Sequence, residues 1–113
     1  MTVADIYRDS SGRYLGFECY GHADDELEEG EDIICAALSV LTTNTINSLE
    51  KLTGADITYA YSTEDLGNGY VSCRFETPPD EKSQLLVDSM LLGIQSIREA
   101  YGEEYLVINL KEE

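Results

Sequence analysis

The sequence is poor in basic residues, proline and histidine, and it contains no tryptophan. Its 113 residues include 7 lysines and arginines against 23 acidic residues, which gives a net charge of −16. Such a field repels nucleic acid and anionic lipid and attracts basic partners, so roles in nucleic-acid and membrane binding are excluded. The chain carries no secretion signal, and no apolar run approaches the roughly twenty residues that span a bilayer. We therefore expect a single cytoplasmic domain over residues 1–113.

Cysteine is also scarce, with three residues in the chain. An odd number of thiols cannot all pair within one chain, and a chain without an export signal is expected to keep them reduced. Cys19 and Cys73 alternate in phase with aromatic and aliphatic neighbours, which predicts two buried thiols that fill the core.

The first third of the chain predicts two strands followed by an acidic loop. The strands cover residues 2–8 and 13–20, joined by the turn-rich residues 9–12. Three side chains of the second strand should share one face: Leu15, Phe17 and Cys19. Residues 21–31 break this alternation and predict a mobile loop.

A helix is predicted next, with Asp32 as its N-cap and Gly54 as its C-terminal stop. Its apolar stripe has helical spacing over about five turns. The residues of the stripe are Ile34, Leu38, Leu41, Thr45, Leu49 and Leu52.

The second half repeats the order of the first. Strands are predicted over residues 56–61 and 70–76, around a hairpin turn at 67–69. A second helix starts at Asp80, after two prolines, and ends at Gly102. Its apolar residues spread over more than one stripe, which predicts packing on two sides. With a last strand over residues 105–110, the order β-β-α-β-β-α(-β) predicts an α+β fold, two helices on a small mixed or antiparallel sheet.

Cys35 is the candidate nucleophile. It lies one residue off the apolar stripe at the predicted start of the first helix, where the positive end of the helix dipole favours a thiolate. A thiol enzyme needs a base, and His22 is the only histidine in the chain. Ser39 follows Cys35 by one helical turn, and Asp32 precedes it, so both are candidates to support the site.

The same residues also fit a metal site. Cys19 and His22 have the C-x-x-H spacing of a zinc clip, and Cys35 with Cys73 would complete a Cys₃His set. A zinc-stabilised binding module therefore stands as the alternative to an enzyme.

Two segments resemble the signature of the ribosomal-processing cysteine protease family, called Prp. The first segment is Gly21-His22-Ala23, and the second runs from Gly30 to Ser39 with the sequence GEDIICAALS. The family pattern is G-H-A, a short variable loop and G-x-D-I-V-C-A-A-x-S opening a helix. Ile34 stands where the family usually has valine, and the loop between the segments is more acidic than is common.

The resemblance implies a metal-free and cofactor-free endopeptidase that forms homodimers. Family members remove a short, apolar N-terminal extension from the large-subunit ribosomal protein numbered twenty-seven, whose body is basic. The resemblance places the nucleophile at Cys35 and the general base at His22, while Gly21, Ala23 and Gly30 match the segments that border the substrate. A non-catalytic module that binds a ribosomal protein is a further alternative.

Overall fold

The computed structural model of the chain describes residues 2–21, 29–62 and 70–113, and of residues 29–32 and 62 it describes the backbone only. Within these ranges the elements follow the predicted order. They are β1 (Thr2–Arg8), β2 (Tyr14–Gly21), α1 (Glu29–Ser48), β3 (Ile57–Ser62), β4 (Tyr70–Phe75), α2 (Glu81–Tyr101) and β5 (Leu106–Glu112). The hairpin turn predicted at residues 67–69 lies outside the described residues. No described helix combines the length and apolarity that a membrane crossing requires.

The described strands form one mixed sheet in the order β3-β4-β2-β1-β5. The pairs β1–β2, β2–β4 and β3–β4 are antiparallel, and β5 joins β1 in parallel. The predicted α+β class and mixed sheet are therefore confirmed.

Both helices cover the same face of the sheet. Strand residues that share this face by alternation include Ala4 and Ile6 of β1, and they form one core cluster with helix residues such as Ile46 and Met90. Cys19 and Cys73 belong to this cluster, as the alternation predicted. The core therefore lies between the sheet and a single layer of two helices.

A β-bulge changes the start of β2. The β1–β2 register shifts between Tyr7 and Arg8, so that Arg8 pairs with Tyr14. Tyr14 is buried and its hydroxyl donates to Asp88 of α2 at 2.5 Å. Leu15 was predicted to share the core face with Phe17, but it is half-buried and lines a cleft on the opposite face. The extra residue of the bulge reverses the alternation at that point.

The first helix differs from its prediction at both ends. It begins at Glu29, so the predicted loop over residues 21–31 is shorter, and Asp32 lies inside the helix instead of capping it. Beyond Ser48 the chain winds through a π-helical turn (Leu49–Thr53) before Gly54 ends it with a φ of 65°. The wider turn rotates Leu52 out of the apolar stripe and leaves it 74% exposed.

The second helix begins and ends as predicted. The Asp80 carboxylate accepts the Ser83 N–H at 2.8 Å, and this hydrogen bond lowers the pKa of Asp80. Gly102 follows the last residue of the helix with a φ of 119°. The α2 helix packs on the core through residues such as Met90 and on α1 at Gly93, as predicted, whereas Leu85 and Leu92 face solvent.

The buried carboxylate of Asp5 connects β1 with the two strands beside it. Asp5 accepts hydrogen bonds from Tyr20 of β2 at 3.1 Å and from Asn109 of β5 at 2.9 Å. Lys111 of β5 lies 3.4 Å from the same carboxylate. One side chain thus links the three strands β2, β1 and β5, and it fixes the position of β1 between its neighbours.

Candidate active site

Cys35 is the seventh residue of α1 and lies in its second turn. The sequence placed it in the first turn, after an Asp32 cap. Glu29 and Glu31 are good helix formers and are favoured near a helix N-terminus, which accounts for the earlier start. Because the field of the helix terminus falls off within the first turn, it acts only weakly on the sulfur of Cys35.

The sulfur of Cys35 lies against the end of the sheet. Its Sγ atom is 3.5 Å from the Oγ1 atom of Thr2, within hydrogen-bonding distance for sulfur. Thr2 is 5% exposed, whereas Cys35 is half-buried. The candidate nucleophile therefore has one side against a buried hydroxyl and another side open to solvent.

The strand register places Gly21, the first residue of the other candidate segment, beside Thr2. Thr2 pairs with Gly21 of β2, and Gly21 is the last residue of that strand. His22 follows Gly21 directly in the chain. His22 and Ala23 lie outside the described residues, so their predicted roles remain predictions.

The other candidate residues are spread along α1. Gly30 lies in the first turn of the helix and not in a loop. Ser39 is exposed one turn beyond Cys35, and no hydrogen bond joins the two side chains. Of Asp32 the structure describes the backbone only. Their supporting roles stay predictions.

Thr2 was missed by the sequence analysis. It is in phase with Ala4 and Ile6, which both face the core. A polar residue at a core position at the end of a strand was the available signal, since buried hydroxyls need partners.

The remaining two thiols are buried in the core. Burial raises the pKa of the Cys19 thiol to about 12, with smaller contributions from the carboxylates of Asp5 and Glu18. Burial likewise raises the pKa of Cys73 to about 12, with a smaller contribution from Glu50. Both side chains are therefore poor nucleophiles near neutral pH.

The alternative zinc site gains no geometric support. Three of its four ligands are described, namely Cys19, Cys35 and Cys73. Among the residues for which side chains are described, no three histidine, cysteine or acidic side chains are grouped closely enough to hold a metal ion.

We expect Cys35 to react with iodoacetamide at least about a hundredfold faster than Cys19 or Cys73 in the native protein. A thiol pKa of about 12 leaves about one thiol in ten thousand ionised at pH 8, and burial blocks access as well. Peptide mapping after a brief treatment measures the three rates. Equal labelling in the native protein, with the same rates in urea as a control, would contradict this assignment.

Comparison with known proteins identifies the family to which the chain belongs. The family model for cysteine protease Prp matches residues 1–106. The chain belongs to the Prp family of cysteine proteases. The ribosomal processing cysteine protease Prp of Staphylococcus aureus is 31% identical over 105 residues, which cover 91% of this chain and 93% of that protein. Prp of Bacillus subtilis is 28% identical over 109 residues, which cover 95% and 96%.

Solved structures show the same fold. SMU.848 from Streptococcus mutans is 33% identical with a TM-score of 0.83, and the match covers 100% of this chain and 99% of that one. The Prp protease of S. aureus, solved in complex with a substrate peptide, also has a TM-score of 0.83 at 28% identity, over 98% of this chain and 100% of that one. The Prp assignment makes this protein a cysteine protease, with three thiols from which the nucleophile must come.

Proposed function

We propose that this protease removes the short N-terminal extension of the large-subunit ribosomal protein numbered twenty-seven, with Cys35 as nucleophile and His22 as general base and acid. Two curated relatives are named ribosomal processing proteases. Prp of S. aureus has been solved with a covalently linked product peptide, the kind of species that an attacking cysteine forms. The free thiols suit a reducing compartment, and we place the reaction in the cytoplasm.

The observation that carries the assignment is the position of Cys35 beside the end of β2. Cys35 is the one cysteine outside the buried core. Its sulfur touches Thr2, and the partner of Thr2 is Gly21, which precedes His22. Gly21 therefore pairs with the residue that contacts the sulfur, and the only histidine of the chain follows Gly21 in the sequence.

The reaction has two steps. The Cys35 sulfur attacks the scissile carbonyl carbon as His22 takes the thiol proton, and His22 then gives that proton to the departing amine as the C–N bond breaks. The extension is left as a thioester on Cys35, while the body of the ribosomal protein leaves with a new N-terminus. Water, deprotonated by His22, then attacks the thioester carbonyl carbon and the C–S bond breaks, so that the extension leaves with a new C-terminal carboxyl group and His22 returns the proton to the Cys35 sulfur.

The first turn of α1 offers donors for the oxyanion. The N–H groups of the first three helical residues have no carbonyl partner within a helix, and in α1 they belong to residues 29–31. The amide of Glu31 is four residues, about one turn, before Cys35, and side chains on a helix lean toward its N-terminus. We assign the oxyanion contact to this amide, which gives the start of α1 a role in the reaction.

Mass spectrometry of a synthetic peptide tests this function. The peptide carries the extension and the first basic residues of the mature protein, and a scrambled peptide of the same composition is the control. We expect two fragments from the first peptide and none from the second. No cleavage at any enzyme concentration, with intact peptide bound, would support a non-catalytic ribosomal-protein-binding module instead, and stoichiometric zinc with loss of folding on chelation would support the zinc-stabilised one.

The acidic surface predicts a salt effect that depends on the substrate. Attraction between a chain of net charge −16 and a basic protein acts over the Debye length, about 10 Å at 0.1 M salt and about 3 Å at 1 M. We expect kcat/KM for the full-length ribosomal protein to fall about tenfold or more over this range. For a short neutral peptide we expect less than a twofold change. Parallel salt curves for the two substrates would contradict electrostatic steering.

We also propose that two copies pair through the outer surface of the helix layer. No charged residue lies between Ile33 and Leu49, although 27% of the chain is charged. Leu41 packs against α2 at Gly93, so that a methyl group added there would lie 2.8 Å from Leu41 Cδ2. The neighbours of this contact are exposed apolar residues, with Val40 72% and Leu92 65% exposed. We call the exposed apolar residues on the two helices the uncharged helix face: Ile33, Val40, Leu85 and Leu92.

The net charge favours a second copy as the occupant of this surface. Two chains of net charge −16 repel each other, and an uncharged surface reduces this repulsion at the contact while it buries apolar area. Leu85 and Leu92 of α2 remain exposed in the single chain, and a second copy would cover them.

A single charge on the uncharged helix face should produce monomers. We expect Val40→Glu to weaken self-association at least about tenfold, because the new carboxylate is desolvated against an apolar partner. Sedimentation velocity over a range of concentrations measures the change. Ala60→Glu is the matched control, since it adds the same charge at an exposed position of β3. Equal effects of the two variants, or a wild-type protein that is monomeric throughout, would contradict the pairing.

A further inference from the structure

The hydroxyl of Thr2 is the described side-chain group that lies within hydrogen-bonding distance of the sulfur of Cys35. The two atoms are 3.5 Å apart, and either one can be the donor. On the basis of the proposed role of Cys35, we infer that Thr2 is a positioning residue that holds the sulfur at the end of the sheet and donates a hydrogen bond to it once the thiol proton has left.

The backbone of Thr2 is fixed on both sides. It pairs with Gly21 of β2 and with Leu106 of β5. Its N–H also donates to the carbonyl of Tyr105 at 2.8 Å. A threonine side chain has few χ1 rotamers available because it is branched at Cβ, so a fixed backbone also fixes the hydroxyl. The sheet therefore holds in place the hydroxyl that contacts the Cys35 sulfur on α1.

The chemistry of the two groups sets the direction of the hydrogen bond. A hydroxyl has one proton to give and two lone pairs, so it can accept from a thiol or donate to it. A thiolate can only accept. When Cys35 loses its proton, the Thr2 hydroxyl must act as the donor, and a hydrogen bond to the charged form stabilises that form. Thr2 itself neither gains nor loses a proton in this step.

The burial of Thr2 favours a specific hydrogen bond between its hydroxyl and Cys35 over a contact made by packing alone. Thr2 is 5% exposed and lies in phase with Ala4 and Ile6, so a valine would fill the same space. A buried hydroxyl costs free energy unless it has a partner, and among the described side chains its hydrogen-bond partner is Cys35.

Two pairs of variants isolate the hydroxyl from the shape of the side chain. Thr2→Val removes the hydroxyl and keeps the branched shape. Thr2→Ser and Thr2→Ala both lack the methyl group and differ from each other by the hydroxyl. Thr45→Val is the matched control, because Thr45 is 4% exposed on α1 and its hydroxyl donates to the carbonyl of Leu41.

We expect the variants without a hydroxyl at position 2 to lose about tenfold in kcat, with less than a twofold change in KM, while Thr2→Ser stays within about threefold of wild type. The rate of Cys35 alkylation by iodoacetamide, followed from pH 5 to pH 10, should reach half its maximum about one pH unit higher in Thr2→Val and Thr2→Ala. Thr2→Ser and Thr45→Val should keep the wild-type midpoint. A purely structural role would lower the melting temperature without moving this midpoint.

Two results would overturn the inference. One is a wild-type alkylation profile in both Thr2→Val and Thr2→Ala, and the other is an equal displacement in Thr45→Val. If Thr2→Val does not fold, the serine and alanine variants give the same comparison. Alkylation needs no substrate, so absence of peptide cleavage by the wild-type enzyme would count against the proposed function and would leave this test intact.

Discussion

Replacement of Cys35 by alanine is expected to lower kcat for the extension peptide by at least about 10⁴-fold, with little change in peptide binding. In the proposed mechanism the sulfur forms the bond that replaces the scissile amide, so its loss would remove the covalent route and leave only the residual effect of binding and the oxyanion contact. Single-turnover cleavage followed by mass spectrometry measures the rates of both the wild type and the variant, and fluorescence anisotropy of a labelled peptide measures the binding.

Cys19→Ala and Cys73→Ala are the matched controls for this prediction. Both remove a thiol of the core and leave Cys35 in place. We expect each to lower the melting temperature and to keep kcat within about threefold of wild type, since neither side chain reaches the substrate. Loss of cleavage in either control, with the fold preserved, or cleavage retained in Cys35→Ala, would place the nucleophile elsewhere.

Gly16→Ala is expected to lower the free energy of unfolding by about 3 kcal/mol, the upper end of the usual cost of overpacking. A methyl group at Gly16 would lie 2.4 Å from the backbone oxygen of Cys73 and 3.2 Å from Arg74 Cα, so β2 and β4 would have to separate. Backbone atoms cannot turn away as a side chain does. Urea denaturation followed by circular dichroism measures the change.

Gly93→Ala is the control for the steric argument. The added methyl would meet the flexible end of Leu41 at 2.8 Å, and the gain in helix propensity of about 1 kcal/mol offsets the adjustment of that side chain. We expect a change within about 1 kcal/mol of wild type. A loss in Gly16→Ala no larger than that in Gly93→Ala, within about 1 kcal/mol of wild type, would show that the β2–β4 pair tolerates the methyl.

The order and type of the elements could be predicted because the local signals agree with the fold. Strand alternation, the Asp80 cap and the glycines at 54 and 102 all point to the structure that forms. The predictions that were wrong concern features that leave no signal in the local sequence. The bulge that turns Tyr14 inward depends on how β1 and β2 pair, and the π-helical turn that exposes Leu52 interrupts a regular apolar stripe.

The start of α1 could not be read from the acidic residues that precede it. Asp32 is a good N-cap residue, but aspartate is equally favourable within the first turn of a helix, and the sequence alone does not separate these positions. The motif identified Cys35, whereas the sequence marked Thr2 only as a polar residue in phase with the core face of the first strand. A contact between residues 33 positions apart is a property of the tertiary fold.

The central claim is that the Cys35 sulfur carries the extension during cleavage. Acid quenching of the reaction within its first turnover, followed by peptide mapping, shows where the acyl group is attached. We predict that Cys35 gains the mass of the N-terminal fragment minus one water molecule, and that hydroxylamine removes it, as expected for a thioester. Cleavage at full rate with no adduct, or with the adduct on Cys19, Cys73 or a serine, would contradict the account.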